Sequence, residues 1–194
     1  MRLILASRSP RRRELLARIG LPFEVRTVEV DETPHRGEDA ADYVVRLAVA
    51  KARAAYDGVE AGAAVVLGAD TAVVLGDEIL GKPTGREDGV RMLLALSGRI
   101  HRVTTGIAVH GQRGTVSRCV ASDVRFRVIE PWEAEAYWGT GEGADKAGSY
   151  GIQGIGGIFA ESIRGSYSAV VGLPLAETEL LLRDYGLDTW RERT

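Results

Sequence analysis

The stretch AAVVLGADTAVVL at residues 63–75 constrains the fold more than any other part of the chain. It is a nearly continuous apolar run, which is typical of a buried strand, and Gly68 predicts a break within it. Residues 100–128 indicate two long strands joined by the hairpin turn GQRG at 111–114. Elsewhere, short apolar runs alternate with segments of helical period. This mixture predicts an α/β fold with a sheet of mixed direction.

Local signals predict the other elements. Ser9 and Pro10 are typical of the first positions of a helix, and Gly20 is typical of its end. The segment GDEIL at 76–80 predicts a turn followed by a short return strand. The remaining strands are expected at 2–7, 23–28 and 158–164, the remaining helices at 38–58, 86–98, 131–141 and 175–186, and a glycine-rich loop at 147–157.

Composition excludes several classes of protein. The 194 residues carry 25 basic and 27 acidic side chains, so the basic excess of a nucleic-acid or membrane-surface binder is missing. The single cysteine, Cys119, rules out an intrachain disulfide and is compatible with a reducing compartment. The first residues, MRLILASRSPRRRELL, place apolar residues before arginines, which is the wrong order for a signal peptide. We expect a cytoplasmic protein with no nucleic-acid or membrane partner.

The stretch GDEILGKPT at 76–84 contains G-x-x-x-x-G-K, which is a P-loop signature without its last letter. Pro83 replaces the Ser or Thr of a P-loop, so the hydroxyl that holds magnesium and one backbone donor are both missing. Asp77 and Glu78 would also face an anionic phosphate. We therefore interpret the stretch as a turn that fixes the direction of Lys82, with a P-loop kinase as the disfavoured alternative.

Lysine is kept at only three positions, Lys51, Lys82 and Lys146, while arginine supplies the other basic residues. Such sites can require a compact ammonium group rather than a planar guanidinium. Lys51 lies on the apolar face of its expected helix, where a lysine is uncommon unless it is paired. The alternative for Lys51 is a side chain that carries its charge out to water.

Two acidic positions could complement these lysines. Asp70 follows an apolar run, and ligands of α/β sheets bind at the carboxyl ends of strands. Asp31 and Glu32 follow the second expected strand. Carboxylates that hold a divalent metal, with ammonium groups on the remaining phosphate oxygens, suit a magnesium–phosphate site. A simple turn aspartate is the alternative for Asp70, and the histidines show no spacing typical of zinc ligands.

The stretch SRSPRR at 7–12 places Arg11 and Arg12 in the first turn of a helix, where free N–H groups and the helix dipole already favour an anion. A solvated first turn is the alternative, although basic residues at that end are electrostatically disfavoured. The stretch GIQGIGG at 151–157 lacks the G-x-G-x-x-G spacing of a dinucleotide site.

Together these stretches resemble the Maf family of nucleotide pyrophosphatases. The resemblance implies a single Maf-like domain over residues 1–194, with a two-lobed α/β Maf/ITPase-like fold, an elongated mixed sheet flanked by helices, and a cleft between the lobes. It also implies a homodimer. The matching stretches occur in family order: LASRSPRR, the DE at 31–32, YVVRLAVAKA, VLGADT, GKP, LSGRIHRVTTG, DKAGSYGIQGIGG and SYSAVVGLPL.

The resemblance implies an enzyme that hydrolyses a nucleoside triphosphate to the monophosphate and pyrophosphate with Mg²⁺ or Mn²⁺. Asp70 would be the general base, and Glu32, Lys51 and Lys82 would handle metal and phosphates, with Asp70 and Glu32 as the metal ligands. Specificity is expected at Arg11, Thr71 and Gln153. The full set of expected substrate-binding residues is Ser7, Ser9, Arg11, Arg12, Thr71, Lys146 and Gln153.

The stretch DKAGSYGIQG resembles the branch of the family that acts on dTTP and UTP, and modified pyrimidine nucleotides are further candidate substrates of this chain. The Gln153 carboxamide both donates and accepts hydrogen bonds, as the edge of uracil or thymine requires. Two further hypotheses stay open at this point. One is a pyrophosphatase of 7-methyl-GTP or of modified nucleotides broadly, and the other is a non-catalytic, nucleotide-binding regulator of cell division.

Overall fold

Seven strands form one sheet in the computed structural model, which describes residues 1–190. The strands are β1 (Arg2–Ala6), β2 (Phe23–Val25), β3 (Ala64–Leu75), β4 (Glu78–Leu80), β5 (Ile100–Gly111), β6 (Gly114–Phe126) and β7 (Ala160–Arg164). Their order is β2-β1-β3-β5-β6-β7, and β4 pairs with β3 outside this order. Strand β1 is parallel to β2 and β3, whereas β4 is antiparallel to β3 and β7 to β6. The expected α/β fold with a mixed sheet is confirmed.

Helices flank this sheet. They are α1 (Pro10–Ile19), α2 (Ala40–Tyr56), α3 (Arg86–Leu96), α4 (Pro131–Gly139), α5 (Tyr167–Val171) and α6 (Leu175–Asp184). The short helix α5 was not expected from the sequence, and two 3-10 turns, Ala147–Ser149 and Ile155–Phe159, occupy much of the expected loop. Within residues 1–190, no helix combines the length and the apolar character needed to cross a membrane.

The described residues divide into two compact units. The first comprises residues 1–70, 105–120 and 172–190, and the second comprises 71–104 and 121–171. Each has a core of its own. In the first, small side chains of α2 pack on β1 and β3, and in the second, the core centres on aromatic residues such as Phe126 and Phe159. The single domain and the cleft that the family resemblance implied stay predictions.

The break expected at Gly68 is wrong, because β3 continues through it. A Cβ atom at position 68 would overlap the carbonyl oxygen of Ala48 and lie 2.8 Å from the Ala52 nitrogen. On the neighbouring strand β5, a Cβ at Gly106 would lie 2.7 Å from the Val45 nitrogen. These glycines therefore allow the backbone of α2 to lie directly on the sheet.

Strand β2 is shorter than expected, because the chain leaves the sheet after Val25. The backbone N–H of Arg26 still donates to Leu5, but its guanidinium donates to the Ala55 carbonyl oxygen of α2 at 2.6 Å. Beyond this point, residues 31–38 form local hydrogen bonds, such as that from the Thr33 N–H to Asp31, and also hydrogen-bond to side chains of α2. The chain is thereby directed along the helix that carries Lys51.

Candidate active site

The ammonium group of Lys51 joins two carboxylates in the first unit. Its Nζ lies 2.6 Å from Oδ1 of Asp70 and 2.6 Å from Oε1 of Glu32. The Lys51 and Asp70 side chains are only 12% and 13% exposed, whereas Glu32 is 48% exposed. Lys51 is thus held in an ion pair and does not carry its charge out to water. The Lys51–Asp70 pair is therefore largely buried, whereas the Glu32 side of the cluster is open to solvent.

The position of Asp70 follows from the packing of α2 on β3. Residues two apart on a strand face the same side of the sheet, so Asp70 faces the helix that lies on Gly68. Lys51 lies on that helix, one residue before Ala52.

The expectation that Asp70 ends its own strand, or lies in a turn, is wrong, because β3 continues to Leu75. The parallel neighbour β1 ends earlier, with Ala6 opposite Gly68. Asp70 therefore lies just beyond the carboxyl end of β1. Ligands of α/β sheets bind at the carboxyl ends of parallel strands, and here the strand that ends at the site is β1.

The segment that carries Glu32 is attached to α2 by two further side chains. The hydroxyl of Tyr43 donates to the Glu32 carbonyl oxygen at 3.0 Å. The Arg46 guanidinium donates to the Thr33 carbonyl oxygen at 3.1 Å and to both carboxylate oxygens of Glu38 at 2.6 and 2.7 Å. Burial, with the nearby charges of Asp70 and Glu32, raises the pKa of Tyr43 to about 12, so its hydroxyl stays a donor at neutral pH. Tyr43 and Lys51 are eight residues apart and so share one helix face.

Helix α1 begins as expected. The Ser9 hydroxyl oxygen accepts from the Arg12 backbone N–H, and Ser7 Oγ accepts from the Ser9 N–H at 3.2 Å. The half-buried Arg12 side chain donates through Nε to the Gly172 carbonyl oxygen at 2.8 Å. Burial lowers the pKa of Arg12, and the charge of Arg11 adds to this, while the Asp70 carboxylate opposes it. Arg12 is therefore within electrostatic range of the Lys51 cluster.

The other expected site residues belong to the second unit. Thr71 follows Asp70 on β3, and the Gln153 side chain is exposed. Lys82 is exposed in the turn after β4. This turn is hydrogen-bonded to the segment that carries Lys146, because the Gly148 N–H donates to the Gly81 carbonyl oxygen at 3.1 Å. The Lys146 ammonium is engaged locally, since it donates to the Glu142 carbonyl oxygen and lies 2.7 Å from Oδ1 of Asp145.

The stretch GDEILGKPT does not form a P-loop. Residues Glu78–Leu80 form strand β4 in the middle of it, and the next helix begins only at Arg86. A P-loop would run from a strand directly into a helix. The interpretation that the stretch is not a P-loop is confirmed, whereas the direction of Lys82 towards phosphates stays a prediction.

Comparison with known proteins decides the family. The family described as Maf-like protein matches residues 2–185. The chain belongs to the Maf family. This agrees with the resemblance found in the motifs, which were spread over nearly the whole length of the chain.

Curated Maf relatives cover almost the entire chain. The dTTP/UTP pyrophosphatase of Hahella chejuensis is 48% identical over 192 residues, which are 98% of this chain and 96% of the relative. The dTTP/UTP pyrophosphatase of Yersinia pestis is 53% identical over 183 residues, covering 94% and 92%. Among solved structures, the Ham1 protein of Staphylococcus aureus shows a partial likeness, with 17% identity, a TM-score of 0.47, and 65% and 72% of the two chains covered.

The donor set in this Maf chain fits a hard divalent cation. Among residues 1–190, no group of three or more His, Cys, Asp or Glu side chains is arranged to hold a metal ion. Mg²⁺ is commonly held by one or two carboxylates, with water and substrate phosphates as the other ligands. Glu32 and Asp70 supply two such carboxylates around one positive group, which fits that pattern.

Sequence analysis missed Tyr43 and Arg46, although both lie within the quoted motif YVVRLAVAKA. For Tyr43 the available signal was its helical spacing from Lys51, which places the two residues on the same face. It also missed Glu142, whose backbone and side-chain contacts become visible only when the glycine-rich segment is folded.

Proposed function

We propose that this Maf chain hydrolyses dTTP and UTP to the monophosphate and pyrophosphate through attack of water on the α-phosphorus. The observation that carries the proposal is the largely buried Lys51 ammonium between the carboxylates of Asp70 and Glu32. Relatives named dTTP/UTP pyrophosphatase, at 48% and 53% identity over nearly full length, support the reaction and its substrates.

Asp70 is the general base of the proposed mechanism. Lys51 engages Oδ1 of Asp70, which leaves Oδ2 to accept a proton from water. As the proton moves to Asp70, the water oxygen bonds to the α-phosphorus and pyrophosphate leaves with the electron pair of the broken P–O bond. Lys51 holds the carboxylate in one orientation, so little reorganisation is needed at the moment of reaction.

The cationic residues of the chain stabilise the charge that builds on the phosphates. We assign this role to Lys51, Lys82, Arg11 and Arg12, with the start of helix α1 adding its N–H groups and dipole. The Ser9 hydroxyl accepts from the helix backbone and keeps its own proton to donate. Glu32 and Asp70 would hold Mg²⁺ or Mn²⁺, which when bound polarises phosphate oxygens.

Base selection is assigned to Gln153, with Arg11 and Thr71 as further specificity residues, and Lys146 is kept as a substrate-binding residue. A carboxamide can pair with both the N3–H and a carbonyl oxygen of uracil or thymine, whereas a carboxylate can only accept. Gln153→Glu should therefore lower kcat/KM for UTP and dTTP by about tenfold or more. An unchanged nucleotide preference in this variant would remove Gln153 from the specificity role.

The test is a panel of triphosphates incubated with the protein and Mg²⁺ or Mn²⁺, with products resolved by chromatography. We expect monophosphate and pyrophosphate from UTP and dTTP, and little product from CTP or GTP. Preference for 7-methyl-GTP would keep the mechanism and overturn the specificity. Tight binding of a nucleotide without turnover would instead support a non-catalytic regulator.

The homodimer implied by the family resemblance and the cytoplasmic location expected from the single cysteine and the N-terminal residues are part of this proposal. Analytical ultracentrifugation of the purified protein tests the first, with twice the mass of the 20.9 kDa chain as the expected result. Fractionation of cells that express the protein tests the second.

A further inference from the structure

The glycine-rich segment 151–157 is folded around a carboxylate of its own unit. Oε2 of Glu142 accepts from the backbone N–H of Ile155 at 2.8 Å, and Oε1 accepts from the N–H of Gly156 at 3.0 Å. Oε1 also accepts from the Tyr137 hydroxyl at 2.8 Å. The Tyr137 oxygen in turn accepts from the N–H of Gly151 at 3.0 Å. The segment is therefore attached at both ends, directly through Glu142 and indirectly through Tyr137.

The glycines of GIQGIGG make this arrangement possible. A Cβ atom at position 154 would overlap the Glu142 carboxylate, and one at 151 would lie 3.0 Å from Glu142 Oε1. A Cβ at 156 would lie 2.8 Å from the Tyr137 oxygen. The glycine pattern, which lacks the spacing of a dinucleotide-binding loop, thus serves to admit a carboxylate to the backbone.

The same contacts decide what the segment can bind. The N–H groups of Ile155 and Gly156, which an anion could otherwise use, are already taken by a carboxylate. Burial raises the pKa of Glu142, but the hydrogen bonds from Gly156, Tyr137 and Ile155 outweigh burial and lower it overall. Glu142 is therefore ionised at neutral pH, and its charge opposes a phosphate at this part of the loop.

The exposed side chain of Gln153 projects from the middle of this segment. It lies two residues after Gly151 and two residues before Ile155, so the attached N–H groups flank it on both sides. A loop fixed before the ligand arrives loses less conformational entropy on binding, and its polar groups are already oriented.

We propose that Glu142 is the positioning residue of the base-selecting loop, because its carboxylate fixes the backbone on both sides of Gln153. The inference rests on the proposed function in that Gln153 recognises a uracil or thymine edge. Glu142 acts through the loop and does not contact the nucleotide.

The test substitutions are Glu142→Gln and Tyr137→Phe, with Glu161→Gln as the matched control. Gln has nearly the shape of Glu, but its NH₂ group would face a backbone N–H or the Tyr137 hydroxyl. Glu161 belongs to the same unit and pairs at the surface with Arg125. The readout is the ratio of kcat/KM for UTP to that for CTP, because these nucleotides differ only in the base.

We expect Glu142→Gln to lower this ratio about tenfold, Tyr137→Phe to lower it less, and Glu161→Gln to leave it unchanged. Combining Glu142→Gln with Gln153→Ala should lower the ratio no further than Gln153→Ala alone, since both act through one side chain. A merely structural role would lower turnover of UTP and CTP equally. Equal loss for both nucleotides, or additive losses in the double variant, would overturn the proposal.

Hydrogen–deuterium exchange separates this inference from the proposed function. In Glu142→Gln, the amides of Ile155 and Gly156 should exchange about tenfold faster than in the unmodified protein, while amides of the Lys51 helix do not change. Unchanged exchange at residues 155 and 156 would refute the anchoring role even if the enzyme hydrolyses UTP. Faster exchange in a protein that hydrolyses no nucleotide would refute the proposed function while keeping the anchor.

Discussion

Replacing Lys51 with methionine removes one positive charge and keeps a similar shape, so it tests what the ammonium does between Glu32 and Asp70. Each carboxylate oxygen lies 2.6 Å from Nζ, and the two oxygens are therefore within about 5 Å of each other. At that separation and an effective dielectric constant of about 20, two negative charges repel by about 3 kcal/mol. Because the Glu32 side chain is 48% exposed, water screens part of this repulsion. We expect Lys51→Met to lower the free energy of unfolding by about 2 kcal/mol at neutral pH.

The assay is urea unfolding of the unmodified protein, Lys51→Met, Glu32→Gln and the double variant. In the protein with Lys51, Glu32→Gln should lower the free energy of unfolding. In Lys51→Met, the same substitution should raise it, because without the ammonium group the Glu32 and Asp70 carboxylates repel each other. Arg53→Met, at an exposed position of the same helix, is the matched control and should stay close to the unmodified protein. A Glu32→Gln effect of the same sign and size in both backgrounds would refute the account of Lys51 as the charge that holds this cluster together. Turnover of UTP should fall at least about a hundredfold in Lys51→Met.

Three further predictions concern the base, the packing under the site and the segment beside it. Asp70→Asn should lower kcat for UTP by about 10²–10⁴, while Asp77→Asn, in an exposed turn, should not; near-normal turnover would remove Asp70 as the base. Gly68→Ala should lower the melting temperature by about 5–10 °C, because its Cβ overlaps the backbone of α2; an unchanged calorimetric scan would contradict that packing. Hydrogen bonds from Arg46 lower the pKa of Glu38 from 4.5 to about 2, so its contribution to stability is complete above the ordinary pKa and is lost as the pH falls toward 2. Between pH 5 and pH 3, the melting temperature of Glu38→Gln should therefore fall less than that of the unmodified protein. Equal falls in the two proteins would exclude a stabilising role for the ionised Glu38.

Elements whose signals are local could be predicted from the sequence. Helix α1 begins and ends where Ser9, Pro10 and Gly20 indicated, because capping depends on residues within one turn. The hairpin of β5 and β6 was likewise predictable from its turn. Lys51 was recognised as unusual from its helix face alone.

Features that depend on distant partners could not be predicted in this way. Gly68 was interpreted as a break because a glycine in a strand gives no local sign that a helix will lie on it. Strand β2 was expected to be longer because its apolar alternation continues, whereas contacts with α2 take the chain away from the sheet. The glycines around Gln153 gave no sign of their partner Glu142, since the hydrogen bonds form only when the segment has folded back.

In the proposed reaction, a water molecule activated by Asp70 attacks the α-phosphorus of UTP. Hydrolysis of UTP in water enriched in oxygen-18, followed by mass spectrometry of the products, tests it most directly. We expect the heavy oxygen to enter UMP and pyrophosphate to stay unlabelled, and we expect Asp70→Asn to slow this labelling in step with turnover. Heavy oxygen in pyrophosphate, or release of labelled orthophosphate, would contradict it.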